Sequence, residues 1–259
     1  MVFLLHTVPS LVAGEAPGVQ LPAKENFHLF VLAGQSNMAG RGKVEDEDKR
    51  PHPRVLTLNQ QGRWAPAVDP LHWDKASVGV GLGRSFGIAL AKVDPEITIG
   101  LIPCAAGGSP ISTWEPGGYH GQTKSHPYDD MLVRVKAAMK RGTLRAILWH
   151  QGESDSNDAL ANVYETKLHS LIGRMRSELD ADDVPFIVGQ MGQFPQRPWS
   201  DAKKQVDRVH RELPGKLSRC AFVDSNGLTH RGDHIHFDSA SYRQLGRRYA
   251  KAYLTLSSQ

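Results

Sequence analysis

Short apolar runs alternate with amphipathic stretches from about Glu25 to the C-terminus. His28–Ala33 is a run of β-favouring apolar residues, and Arg54–Leu58 is a weaker one. Further strands are expected at Ile97–Ile102, Leu144–His150, Val184–Met191 and Cys220–Asp224. Between them, apolar residues three and four apart predict helices over Gly83–Val93, Tyr128–Arg141, Ala159–Leu179, Ser200–Leu213 and Ser239–Leu254. In the last of these, Tyr242, Leu245, Tyr249 and Ala252 fall on one face. Strands separated by helices of this length need crossover connections. The pattern therefore predicts a mostly parallel central sheet in a three-layer α/β/α sandwich. No internal repeat or linker interrupts it, so residues 26–259 are expected to form a single domain.

The first 25 residues are set apart from that domain. Met1–Leu5 opens apolar, but His6, Pro9 and Ser10 interrupt the run before Leu11–Ala13, and no basic residue precedes it. Small residues follow at Gly14 and Ala16. The segment is either a degraded or truncated export signal or a leader of another kind. The first reading places the protein outside the cytoplasm and the second within it.

Composition narrows the classes. At 259 residues and 28.5 kDa the chain has the length of one large α/β domain. Hydrophobic residues at 40% and charged residues at 22% exclude wholesale disorder. No apolar run approaches the ~18 residues of a membrane span. The net charge of +4 comes from scattered basic residues, too diffuse to argue for nucleic acid. Two cysteines, Cys104 and Cys220, cannot build a zinc ribbon; both lie in strand-like stretches and are expected as free thiols.

Ligands of such sheets bind beyond the carboxyl ends of the strands. The residues just past each strand are therefore informative. The first strand runs into Gly34-Gln35-Ser36-Asn37-Met38 and a later one into Pro103-Cys104-Ala105-Ala106-Gly107-Gly108-Ser109. His150-Gln151-Gly152-Glu153-Ser154-Asp155 closes another, and Asp233-His234-Ile235-His236-Phe237-Asp238 precedes the last helix. Singly, each has a plain structural reading. Ser36 can cap a helix, Gly107-Gly108 can form a tight turn, and His150 and His236 can be ordinary hydrogen-bonded histidines. Together they supply a hydroxyl, a base, an acid and clustered donors, the parts that nucleophilic acyl transfer needs.

In this order and spacing, the four blocks resemble the SGNH (GDSL-related) hydrolase superfamily, over about residues 28 to 254. Within it they are most similar to the carbohydrate esterase family 6 and sialate O-acetylesterase-like branch, which carries Gln where other members carry Asn in the third block. The resemblance implies a flavodoxin-like sandwich and a serine esterase that removes O-acetyl groups from carbohydrate, acetylxylan or an O-acetylated sialic acid. It implies Ser36 as nucleophile and His236 as base. Asp233 is favoured as the orienting acid, with Glu153 as alternative or supporting acid. The oxyanion would be met by the backbone N–H groups of Ser36 and Gly107 and the side-chain amide of Gln151, with Gly108 as the alternative glycine.

Substrate contacts are expected from Gln35, Asn37, Trp114 and His150, with Trp73, Tyr119 and Trp199 as further sugar platforms. The nucleophile lacks the second glycine of G-x-S-x-G, which separates it from the α/β-hydrolase elbow. No cofactor is called for. Rival readings are a general short-chain esterase, a non-catalytic glycan-binding module, and a metal hydrolase using Asp233, His234, His236 and Asp238 with His230 nearby. The last lacks HExxH or any paired ligand motif.

Overall fold

The structure, a computed structural model, describes residues 13–258; the expectation of a leader over residues 1–12 lies outside the described residues. Its strands are β1 (Gly14–Glu15), β2 (Phe27–Gly34), β3 (Val55–Leu58), β4 (Arg63–Pro66), β5 (Thr98–Pro103), β6 (Thr143–His150), β7 (Phe186–Gly189) and β8 (Cys220–Val223). They form one sheet in the order β1-β4-β3-β5-β2-β6-β7-β8, parallel except where β3 meets β4. The helices are α1 (Ser36–Ala39), α2 (Gly83–Val93), α3 (Pro127–Met139), α4 (Asp158–Glu178), α5 (Asp201–Lys216) and α6 (Ser239–Ser257).

From Leu29 to Ala33 β2 is a continuous apolar run because both of its faces are buried. Phe27, Leu29, Val31 and Ala33 enter one core, while Phe30 and Leu32 enter the other. The first core is closed by Met131 and Val135 of α3, Leu168 and Leu171 of α4, and Val206 and Leu213 of α5. Phe86 and Leu90 of α2 and Tyr242, Leu245 and Tyr249 of α6 close the second. The sandwich thus has the three layers that the sequence pattern predicts. Cys104 and Cys220 are unbridged.

Four local features differ from expectation. β4 has no alternation of its own and exists through antiparallel pairing with β3, Leu56 opposite Pro66. β7 spans only Phe186–Gly189. α5 passes through Pro214 to Lys216 instead of ending at Leu213. A proline this near a helix end costs a single backbone bond, and the next turn still closes, with Leu217 N–H on the Leu213 carbonyl at 3.0 Å. The expected separation of the first 25 residues also needs correction. Ala13 is buried, β1 extends the sheet beside β4, and Val19 and Leu21 pack against the first core.

Candidate active site

β2 sits between β5 and β6, so three of the four polar blocks leave the sheet on neighbouring strands. Gly34 ends β2 at φ 129°, and a Cβ there would lie 2.2 Å from the His150 carbonyl oxygen of β6. Only glycine allows this close approach and this backbone angle. The chain then turns at once into α1, whose first residue is Ser36.

The fourth block reaches this point from 200 residues away. Ser36 Oγ and His236 Nε2 are 2.9 Å apart, and His236 Nδ1 is 2.7 Å from Asp233 Oδ2. The backbone N–H groups of Ile235 and His236 donate to Asp233 Oδ1 at 2.9 and 2.8 Å. Burial pushes the Asp233 carboxyl up, but these N–H groups and the imidazole outweigh it and hold it at about 2. A carboxylate ionised at neutral pH thus fixes the imidazole, leaving Nε2 toward the serine.

Glu153 is not on the histidine. Its Oε1 accepts from Asn37 Nδ2 at 2.6 Å, joining the β6 loop to α1. Asn37 is fully buried and also donates to the Ile235 carbonyl at 3.1 Å, while its own oxygen accepts from Tyr242 Oη at 2.7 Å. It is a brace between blocks and not the expected substrate contact. Gln35 is buried too, its Oε1 receiving the Ser154 N–H at 3.3 Å.

The N–H groups of the second block change the expected oxyanion donors. Ala106 N–H bonds the Gly34 carbonyl at 2.9 Å, and Ser109 N–H bonds the Ala106 carbonyl at 3.1 Å. Gly107 N–H is taken by Asp74 Oδ2 at 2.8 Å. Gly108, at φ 85°, is the one residue of this turn whose N–H has no partner among the described residues. Ser36 N–H, in the first turn of α1, is likewise unengaged among the described residues.

Gln151 also departs from expectation. It is completely buried, and its Nε2 donates to the Ser109 carbonyl at 3.1 Å and to Asp155 Oδ2. Its oxygen accepts from Tyr164 Oη, which also meets His210 Nε2 at 2.9 Å. Both amide hydrogens are therefore committed inward. His150 is fully buried against Tyr249 Oη at 3.2 Å, and burial lowers it to about 4, so it is a neutral core histidine without access to substrate. Trp114 is a core residue as well, edge-on to Trp149 with its indole N–H on Ser109 Oγ at 3.0 Å.

The other aromatic candidates are more open. Trp73 and Tyr119 are exposed, and Arg134 lies over the Trp73 ring. Trp199 lines a cavity of about 350 Å³ with Arg197, Lys203, Glu153, Ser154 and His234, directly beside the His236 loop. Sequence reasoning missed Arg197 and Lys203, and also Arg41 and Asp74. Lys203, which lies over the Trp199 ring, stands in the first turn of α5, where its N–H donates to the capping Ser200 Oγ at 3.2 Å. The rival metal residues are used otherwise. His230 Nδ1 accepts from Gly232 N–H at 2.9 Å, and Asp238 caps α6 through Ser241 N–H at 2.8 Å.

Comparison with known proteins identifies the family. The family described as carbohydrate esterase, sialic acid-specific acetylesterase, matches residues 26–255. A probable carbohydrate esterase of Arabidopsis thaliana is 34% identical over 270 residues, covering 95% of this chain and 97% of its own. An X-ray structure of an Arabidopsis thaliana protein superposes with a TM-score of 0.78 at 33% identity, covering 89% of this chain and 98% of that one. The crystal structure of NanS gives 0.68 at 19% identity, covering 92% and 99%, a likeness of fold. The chain belongs to the carbohydrate esterase family of sialic acid-specific acetylesterases and is a carboxylic ester hydrolase.

Proposed function

We propose that Ser36, His236 and Asp233 form the triad that removes O-acetyl groups from an acidic saccharide. The observation that carries this reading is the unbroken relay from Ser36 Oγ through His236 to Asp233, at 2.9 and 2.7 Å. As Ser36 Oγ attacks the acetyl carbonyl, its proton passes to His236 Nε2. The carbonyl oxygen becomes an oxyanion and accepts from Ser36 N–H and Gly108 N–H. Collapse of this intermediate breaks the ester bond, and His236 returns the proton to the departing sugar oxygen. Water, deprotonated by the same imidazole, then attacks the acetyl-enzyme; the second intermediate collapses, the bond to Ser36 Oγ breaks, His236 returns the proton to that oxygen, and acetate leaves.

The acidic character of the sugar is drawn from the cavity beside His236. Arg197 and Lys203 bring two cations to it against the one carboxylate of Glu153, which Asn37 already engages, and Trp199 supplies an aromatic wall. This arrangement suits a carboxylate-bearing sugar better than neutral xylan. The test is acetate release from O-acetylated sialic acid and from acetylated xylan by the wild-type enzyme, Ser36→Ala and Arg197→Gln. The reading expects no turnover by Ser36→Ala and a raised KM for the sialate in Arg197→Gln. Xylan as the preferred substrate, with KM unchanged in Arg197→Gln, would overturn the acidic-sugar assignment.

A further inference from the structure

Asp74 lies outside all four sequence blocks, yet it touches the second and joins it to the first. Its carboxylate is almost fully buried, with 4% of the side chain exposed, and it pairs with Arg41, whose side chain is 3% exposed. Arg41 Nη2 meets Oδ2 at 2.6 Å and Nη1 meets Oδ1 at 3.3 Å, a two-pronged pair. The same Oδ2 accepts Gly107 N–H at 2.8 Å. Arg41 lies directly after α1, and its Nη1 also donates to the Gly40 carbonyl at 2.7 Å. From the other side, Arg231 Nη1 donates to the Arg41 carbonyl at 2.6 Å while its Nε stands 3.8 Å from Asp233. One ion pair therefore bears on the nucleophile helix, the Gly107–Gly108 turn and the loop of the triad acid.

Peptide geometry then sets the direction of Gly108. A trans peptide points its carbonyl and its N–H in opposite directions. The peptide between Gly107 and Gly108 has its carbonyl on His120 Nε2, 3.3 Å away, so Gly108 N–H faces the opposite side. The next carbonyl, that of Gly108, accepts from Ser154 Oγ at 2.9 Å. With Gly107 N–H on Asp74, the turn is tied on both sides of the one N–H that has no partner among the described residues. The packing is tight: a Cβ on Gly107 would sit 2.4 Å from both Arg41 Nη2 and Asp74 Oδ2.

We propose that Asp74 and Arg41 are positioning residues that orient the Gly107–Gly108 turn so that Gly108 N–H meets the oxyanion. The inference rests on the proposed esterase function. It assigns the pair no contact with substrate; the pair acts through the turn. Its loss lowers transition-state binding and leaves ground-state binding nearly unchanged.

Removing one partner leaves a buried lone charge and can unfold the protein. The test therefore uses the double variant Arg41→Met with Asp74→Leu, which replaces the pair by apolar side chains. Asp74→Asn accompanies it, because its amide oxygen still accepts from Gly107 N–H. Turnover of 4-nitrophenyl acetate, inhibition by a trifluoromethyl ketone that forms an oxyanionic adduct, and the denaturation midpoint are read for each. In a folded double variant kcat is expected to fall ~10²-fold, the loss typical of one oxyanion donor, with KM within about threefold. Inhibitor affinity should fall by the same factor as kcat, and Asp74→Asn should recover at least ~tenfold of it.

A folded double variant with wild-type kcat overturns the proposal. So does an Asp74→Asn enzyme that keeps its denaturation midpoint and is as slow as the double variant, because it still offers Gly107 an acceptor. A wild-type enzyme that neither turns over the ester nor binds the ketone would instead defeat the esterase reading itself.

Discussion

Tyr164 Oη donates to Gln151 Oε1 at 2.7 Å inside the first core, and this bond turns the glutamine away from the nucleophile. Gln151 is thereby a structural residue of a buried network with Asp155 and His210. Truncating it removes the acceptor of the Tyr164 hydroxyl, the amide donor to the Ser109 carbonyl and one of the two donors to Asp155 Oδ2, which keeps the Ile111 N–H. Gln151→Ala is expected to lower stability by ~1–3 kcal/mol, the cost of unsatisfied buried polar groups. Denaturant midpoints check this; an unchanged midpoint together with a ~10²-fold fall in kcat would restore Gln151 as an oxyanion donor.

The two candidate acids separate by substitution. Asp233→Asn keeps the shape but loses the charge that fixes the imidazole, and kcat should fall by ~10²–10⁴. Glu153→Gln still offers Asn37 an acceptor oxygen, so more than ~10% of kcat should survive. The opposite ranking in steady-state kinetics would make Glu153 the acid.

Stability should change with pH in two windows of opposite sign. Burial raises Asp155 to about 6, against the opposing hydrogen bonds from Gln151 and the Ile111 N–H. The folded protein therefore holds this proton more tightly than the unfolded chain. The stability it contributes is complete below the ordinary value of ~3.9 and is lost as pH rises through about 6. Asp233 behaves in reverse. Its contribution is complete above ~3.9 and is lost as pH falls through about 2. Buried His150, held at about 4, adds a contribution that rises with pH over the same range, so the Asp155 effect is read as a difference: urea midpoints between pH 4 and 6.5 should rise more steeply in Asp155→Asn than in wild type, and parallel slopes would remove Asp155 as a cause.

Trp114 and Trp199 test the difference between core and cleft. Trp114→Ala empties a site wholly inside the first core and should cost ~3–5 kcal/mol. Trp199→Ala should raise KM for an acetylated sugar while leaving 4-nitrophenyl acetate unaffected. Equal losses of stability in the two variants would count against the cleft role of Trp199.

The sequence announces Ser36, His236 and Asp233 because each stands in a block whose neighbours are special for local reasons. Gly34 is needed at a positive φ, and Asp233 binds backbone only two and three residues ahead. The sheet is equally legible, since two-sided burial makes Leu29–Ala33 of β2, Ile99–Ile102 of β5 and Ala146–Trp149 of β6 continuous apolar runs. What stays hidden is set by distant partners. Asp74 meets its arginine 33 residues away. The direction of the Gln151 amide depends on Asp155, on Tyr164 of α4 and on the Ser109 carbonyl. β4 is invisible for the same reason, because Arg63–Pro66 becomes a strand through its pairing with β3 and β1.

The span of 200 residues between Ser36 and His236 has a kinetic meaning. The base stands two residues before Asp238, the cap of the C-terminal helix, and that helix packs on α2 and β8. The nucleophile's strand can pair with β5 and β6 well before this last segment arrives. During refolding, tryptophan burial should then run ahead of regained turnover, because one of the most non-local closures of the chain is also the one that arms the serine. Catalytic competence is in this sense a late-appearing signal that the final helix has docked.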